Sequence, residues 1–587
     1  MSALTANDAP KEGGDVLVET TRTDLSEEES TSRIPTTTGT SDRAVEEKNV
    51  FGIDHAAVPA HFWNVGLVMV ASIAILYPVL IIEYGASSAV YTGASQLVTL
   101  FYSYQIFFGI FTDAFHIFRR RWKPYMMLGW TLSSAALLAI VIVGRRGMSD
   151  AAFVWLLTIA NIGAAIADTA ASGFLTWISH HEPQPRKGHA QTAMYIMKES
   201  GRLVSNIVVL IGFSGPLNCD GYPEVTECDN AKFPFDMSLS QFAAVLFAFT
   251  ITGAILIVPL REDPAEARDN FKALSTTLSK MWIASQNKAV WQLMLFTMIS
   301  NTLFSIYNPA QYNANYVWLN LTTFQNQLVW LIENVVFIVG LWLIKRYFLN
   351  TSWRKLNLIG MGIVSTMNLL YLLIVYDICR KEWFYIVFST TESFMYTANF
   401  LVNVFCIIEV AGEGLEAVTY ALITSATAAT YPLATAVSLA LLSFFPILNE
   451  QDSLSEDTPA VRNAMASLIV VILVLNWSGV LAMPMLPRQR EETRELVKKN
   501  EKSKLWAAVA LIAGLCAIIY STIITIFSAR GGCAAIFGGP GCDDGNPGQG
   551  LFVVMAVIFG FCYCVPFYHV YWPILMRRES FRWSIFV

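Results

Sequence analysis

Three charges, Lys198, Glu199 and Arg202 in YIMKESGRLVSN, stand inside an apolar stretch long enough to cross a bilayer. An ionisable group in hydrocarbon costs on the order of 3 kcal/mol or more, so it must face a partner or a wet cavity. Lys198 and Arg202 share a helix face at a spacing of four, and Glu199 reaches Arg202 at a spacing of three. Once Glu199 neutralises Arg202, Lys198 is left to seek an anion: the carboxylate of a ligand, or Asp168 on the preceding apolar stretch. A purely structural cluster of the four residues is the competing reading. By the 3.6 period, Asp168 lies on one face with Asn161, Ala165 and Ser172. The same period groups Glu392 with Tyr396, Asn399 and Asn403, and Tyr312 with Asn301, Ser305 and Asn308. Such a set suits a flat, polar, anionic solute. Asp168 or Glu392 accepts ring N–H groups, Lys198 or Arg202 attracts carboxylates, and Tyr396 or Tyr312 stacks, with Asn308 as a further polar contact. Asp168, Glu199, Glu333, Glu392 and Glu416 are each able to carry a proton.

A second concentration of charge is GIFTDAFHIFRRRWKPY, residues 109–125. Asp113 closes an apolar run and meets Arg119, Arg120, Arg121 and Lys123. A pair between Asp113 and a cation such as Arg121 would gate a passage by breaking and reforming; the cations also suit an anionic lipid surface. The histidines show no metal-ligand spacing. No nucleophile motif or phosphate-binding glycine loop is present, so neither an enzyme nor a cofactor is expected.

The elements that must hold these residues are membrane helices. The chain of 587 residues is 54% hydrophobic and 14% charged, a membrane composition. Residues 1–50 carry eleven Asp/Glu against five Lys/Arg, which accounts for the net charge of −6. The rest is neutral, and nothing suggests a nucleic-acid partner. Apolar stretches of about 20 residues recur at 62–83, 91–112, 124–144, 151–177, 190–213, 239–260, 290–313, 324–344, 356–376, 383–408, 417–446, 462–486, 505–528 and 550–575. The expected fold is an all-α integral membrane protein of fourteen helices, six plus six plus two. Its parts are a disordered acidic tail (1–55), two six-helix bundles (56–260 and 290–486), linkers (261–289 and 487–504) and a pair of extra helices with a short basic tail (505–587).

Placing the N-terminus in the cytoplasm puts 25 Lys/Arg in inside loops and 7 in outside loops, the sense of the positive-inside rule. Cys219 with Cys228, and Cys533 with Cys542, then fall in outside loops, where disulfides persist. The sequon Asn320-Leu321-Thr322 falls outside as well, where it is open to glycosylation. Both termini are expected in the cytoplasm, in a plasma membrane.

Two bundles of six helices are the layout of a major facilitator, and residues 109–125 make the likeness more specific. Gly109, Asp113, Arg121, Pro124 and Tyr125, followed by MLGW, resemble the signature of the folate-biopterin transporter family. His116 and Arg119 depart from its usual Pro and Gly. NIGAAIADTAASGFL resembles a second family segment at Asp168, with Ser172 in place of a second carboxylate. A third likeness is GEGLEAVTYALITSATAATYPL, with Gly414, Glu416, Tyr420 and Ala421 in place. The likeness spans roughly residues 60–486. It implies a secondary active transporter of folate, biopterin or a related pterin, coupled to protons. S-adenosylmethionine or amino acids are the alternative substrates, and a non-transporting receptor or scaffold is the alternative of another class.

Overall fold

The computed structural model describes residues 57–144, 147–180, 189–215, 232–262, 270–343, 347, 351–410, 416–449, 451–529, 568 and 572. Among these, regular structure is helical throughout. The first half comprises α1 (Ala57–Ala74, continued by a π turn, Tyr77–Glu83), α2 (Ser88–Leu100), α3 (Gln105–Ala114), α4 (Lys123–Val143), α5 (Asp150–His180), α6 (His189–Gly212) and α7 (Leu239–Ile257). A connecting helix, α8 (Asn270–Ser285), leads to α9 (Lys288–Phe296), α10 (Thr302–Phe304) and α11 (Gln311–Leu319). Then come α12 (Thr323–Leu343), α13 (Trp353–Leu370), α14 (Leu372–Val375), α15 (Glu382–Val410) and α16 (Glu416–Leu442). The series ends with α17 (Gln451–Ser455), α18 (Pro459–Ser478), α19 (Arg490–Lys499) and α20 (Lys504–Ala529).

The expected spans from the first to the thirteenth each have a helical counterpart. The fourteenth, 550–575, lies outside the described residues apart from Tyr568 and Trp572. Nine helices among the described residues are long and apolar enough to cross a membrane. One span departs from expectation. The stretch 290–313 is not a single helix, because α10 ends at Phe304 and α11 begins only at Gln311. Pro309 lacks an N–H to continue the ladder, and the Asn308 side chain accepts from the Ala310 N–H (3.1 Å) in the turn before the restart.

Buried apolar side chains form two cores. One draws on residues 57–260; the other draws on residues 284–524 and takes in Ala89. Within the first, α1 lies along α6, and α4 packs on α5 and α7. Within the second, α15 packs on α12 and α13. Helix α20 runs in the groove between α2 and α16, one helix from each half. Its Ala510, Ala517 and Ile524 belong to the second core, while Thr522 hydrogen-bonds Tyr104 of the first half at 2.7 Å. At its start, Trp506 stacks on Trp291 with centroids 5.6 Å apart. The preceding loop is strapped to the linker by Lys288 N–H to Glu501 O (2.8 Å) and Ser503 N–H to Gln286 O (2.9 Å).

The halves are sewn together at the end opposite the Arg119–Lys123 loop. Ser88 N–H donates to Asn449 O (3.1 Å), Ala89 N–H to Asn449 Oδ1 (3.0 Å) and Asn313 Nδ2 to Ala86 O (3.5 Å). Tyr77 donates to Leu321 O (3.0 Å), and Gln327 to Ala74 O (3.1 Å). In the second half the same end is clamped by Asp457, which accepts from Arg380 Nη1 (2.7 Å) and Arg462 Nη2 (2.6 Å). Arg380 also lies 4.7 Å over the Trp318 ring. Partial burial opposes the charge on Asp457, but the hydrogen bonds and charges of the two arginines outweigh it and hold the carboxyl down to about 2. That value is below the roughly 3.9 of an unfolded aspartate. The clamp therefore contributes fully above about pH 4 and is lost as pH falls through about 2. Thermal unfolding of the purified protein is expected to drop across that window, and Asp457→Asn to show a flatter acid limb.

Candidate functional site

In the first half, glycines bring α1 and α6 into backbone contact. A Cβ on Gly66 would sit 1.9 Å from the Lys198 carbonyl oxygen, and one on Gly201 would sit 2.1 Å from that of Trp63. This crossing fixes Lys198 deep in the bundle. Its ammonium donates to Asp168 Oδ2 at 2.9 Å, and Gln105 of α3 donates to the same oxygen at 3.1 Å. Asp168 is almost wholly enclosed, with its side chain 3% exposed against 19% for Lys198. Lys198 thus contacts Asp168, one of the two anions open to it. Glu199 pairs with Arg202 at 3.0 Å, the expected neutralisation. Asp168 Oδ1 is enclosed and has no hydrogen-bond partner, as are His61 Nε2 and the Tyr102 hydroxyl nearby.

The second half presents two acids. Glu333 of α12 accepts from Ser389 of α15, and Glu392 of α15 accepts from Asn368 of α13 at 3.2 Å. Tyr396, Tyr431 and Tyr307 share their electrostatic neighbourhood. Asn399 donates nothing to this group, but its side-chain oxygen accepts from Asn403 Nδ2 at 2.6 Å. Beside Tyr396, a cleft of about 40 Å³ is lined by Asn357, Ser365, Asn399 and Asn476. It has room for a few waters.

Two expected contacts are placed elsewhere. Tyr312 packs edge-on against Tyr91 (4.7 Å) and faces Tyr307 (6.4 Å). With Tyr77 against Tyr91 (6.2 Å), it forms an aromatic cluster across both halves. Asn308 is buried; its side chain accepts from the Ala310 N–H in the turn before α11 and donates to Met465 Sδ at 3.0 Å. Asn308 and Tyr312 stand on either side of the start of α11 at Gln311. Glu416 begins α16, but its side chain lies outside the described residues, as do Cys219, Cys228, Cys533 and Cys542. Asn320 is exposed at the end of α11 in the left-handed conformation, φ 50°.

The charge knot acts within the first half. Asp113 accepts from Arg121 Nε at 3.0 Å. A carboxylate that sequence reasoning missed does more. Glu262, just past α7, accepts the backbone N–H groups of Arg121 (2.7 Å), Trp122 (3.0 Å) and Lys123 (2.9 Å). These are orphan donors at the start of α4, where a helix dipole favours an anion. The ammonium of Lys123 reaches back to Leu260 O at 3.0 Å. In the sequence Glu262 is one of several acids, with Asp263, Glu266 and Asp269, at the start of the 261–289 linker, and nothing there singles it out.

No curated protein matches the chain. Among solved structures, it is similar to a D-xylose-proton symporter, with a TM-score of 0.51 at 12% identity over 76% of this chain and 99% of that one. It is also similar to a POT family transporter in complex with 5-aminolevulinic acid, with a TM-score of 0.51 at 12% identity over 74% and 98%. At such identities the likeness speaks for the fold alone, which is that of the major facilitators. The model of the BT1 family matches residues 66–504, the two-half body from α1 to the first residue of α20, and on that extent the chain belongs to the BT1 family.

Proposed function

We propose that the protein is a secondary active transporter that moves folate, biopterin or a related pterin-type metabolite across a membrane by alternating access, coupled to protons. One observation carries this reading: an enclosed Lys198–Asp168 pair in one half and two acids, Glu333 and Glu392, among tyrosines in the other. Charges kept at membrane depth in both halves of a facilitator fold serve a shared solute pathway. The solute's carboxylate draws Lys198 from Asp168. Glu392 reads ring N–H groups and Tyr396, 44% exposed, offers its face. Protons ride on Asp168, Glu333 or Glu392. The Asp113–Arg121 and Glu199–Arg202 pairs steady the first half as it tilts. The sewn end is the outer one, and the basic loop and both termini are cytoplasmic, in the plasma membrane.

Uptake of labelled folate, biopterin and S-adenosylmethionine by cells expressing the protein tests this, with and without an inward proton gradient. Uptake of folate or biopterin that rises with the gradient is the expected result. No uptake of any of the three, at normal surface level, sinks the transport reading as stated. S-adenosylmethionine or an amino acid is the second reading, favoured by Ser172 standing where the resembled family pattern has a second carboxylate.

A further inference from the structure

His61 of α1 is 1% exposed, and its Nδ1 accepts from the Trp130 indole of α4 at 2.9 Å. Indole nitrogen only donates, so Nδ1 carries no proton and the neutral ring must carry its proton on Nε2. That Nε2–H is enclosed without a partner. The charged groups that act on it electrostatically are Asp168 from α5 and Lys198 from α6. Asp168 shows the complementary defect. Its Oδ2 takes two hydrogen bonds, from Lys198 and from Gln105 of α3, while its Oδ1 takes none. Asp168 thus has an oxygen without a donor, and within its field lie two enclosed donors without an acceptor, the His61 Nε2–H and the Tyr102 hydroxyl. Each unmet group is costly in a low-dielectric interior, and a carboxylate turned toward the Trp130-locked His61 ring would satisfy that pair. Lys198 and Gln105 hold that carboxylate the other way. The Gly66 contact with the Lys198 carbonyl keeps α1 and α6 in register, so His61 stays in place when the Lys198 side chain moves.

We propose that His61 is a positioning residue, the reserve partner of Asp168: a neutral donor, locked by Trp130, that takes the carboxylate when Lys198 leaves it for an incoming anion. The acid is then never bare, and the site never has to pull a lysine from a carboxylate that has nowhere to turn. The departure of Lys198 toward a solute rests on the transport reading; the exchange of partners does not, and it can be observed without any solute.

The test uses the purified full-length protein with ¹⁵N-labelled histidine. The His61 signals are assigned by their loss in His61→Gln. In the wild type, Nδ1 is expected at the unprotonated position and Nε2 at the protonated one. In Lys198→Gln, which imitates the departed lysine, the Nε2 signal moves downfield as it gains a carboxylate acceptor. The shift vanishes in Lys198→Gln/Asp168→Asn. Lys198→Met replaces the single variant if glutamine prevents folding. A proton on Nδ1 in the wild type, or an unmoved Nε2 signal once Lys198 is gone, overturns the proposal. A second arm measures uptake of whichever of the three labelled solutes the wild type transports. Glutamine can both accept from Trp130 and donate to Asp168, so His61→Gln retains uptake within a few-fold, whereas His61→Phe loses about tenfold or more at equal surface level. Equal uptake by the two variants also overturns it. A wild type that transports none of the three counts against the transport reading alone, and the spectra still decide the role of His61.

Discussion

Lys198→Ala is expected to lower stability by about 3–5 kcal/mol, the range for breaking a buried pair, and to abolish uptake. The cost falls on what remains. Asp168 is nearly sealed from solvent, and the donors left to it, Gln105 and the proposed reserve partner His61, are neutral and do not replace the positive charge. Asp168→Asn is expected to cost less, because the more exposed lysine has a long stem that can carry its charge toward water. The double variant Asp168→Asn/Lys198→Met recovers most of the loss in thermal unfolding and none of the uptake. That pattern separates a working pair from a scaffold. Uptake retained by either single variant at normal surface level would mean the pair is structural only.

Joining Ser88→Cys to Asn449→Cys is expected to stop transport when oxidised and to release it when reduced. Ser88 N–H lies 3.1 Å from Asn449 O, so the two Cα atoms fall in the range a disulfide spans. Alternating access requires this end to open in each cycle. A bond across it should therefore cut uptake about tenfold or more, with recovery in dithiothreitol and little effect from either single substitution. Full uptake in the oxidised double variant would show that the end stays shut throughout the cycle.

Much of the frame was legible because membrane helices announce themselves by length and apolar composition. The polar partners of Lys198 were legible as a short set of alternatives, since hydrocarbon leaves few. What escaped depended on phase and on distant backbone. The face assigned to Asn308 and Tyr312 assumed an unbroken helix through Pro309. Glu262 satisfies three N–H groups about 140 residues away in the chain, a link that no local spacing encodes. His61 carries no signal in the sequence, because its meaning lies in one bond to Trp130.

Helix α20 lies beyond the residues matched by the family model and closes the slit between α2 and α16. It presents Ala510, Gly514, Ala517, Ser521 and Thr525 at spacings of three or four, small side chains that let backbones approach closely. Acyl chains are thereby kept from that flank, so a solute using the slit as a side door from the bilayer would meet protein. Packed along α2 of one half and α16 of the other, with Ile526 against the first core and Ala517 in the second, the helix bridges the two halves along their length.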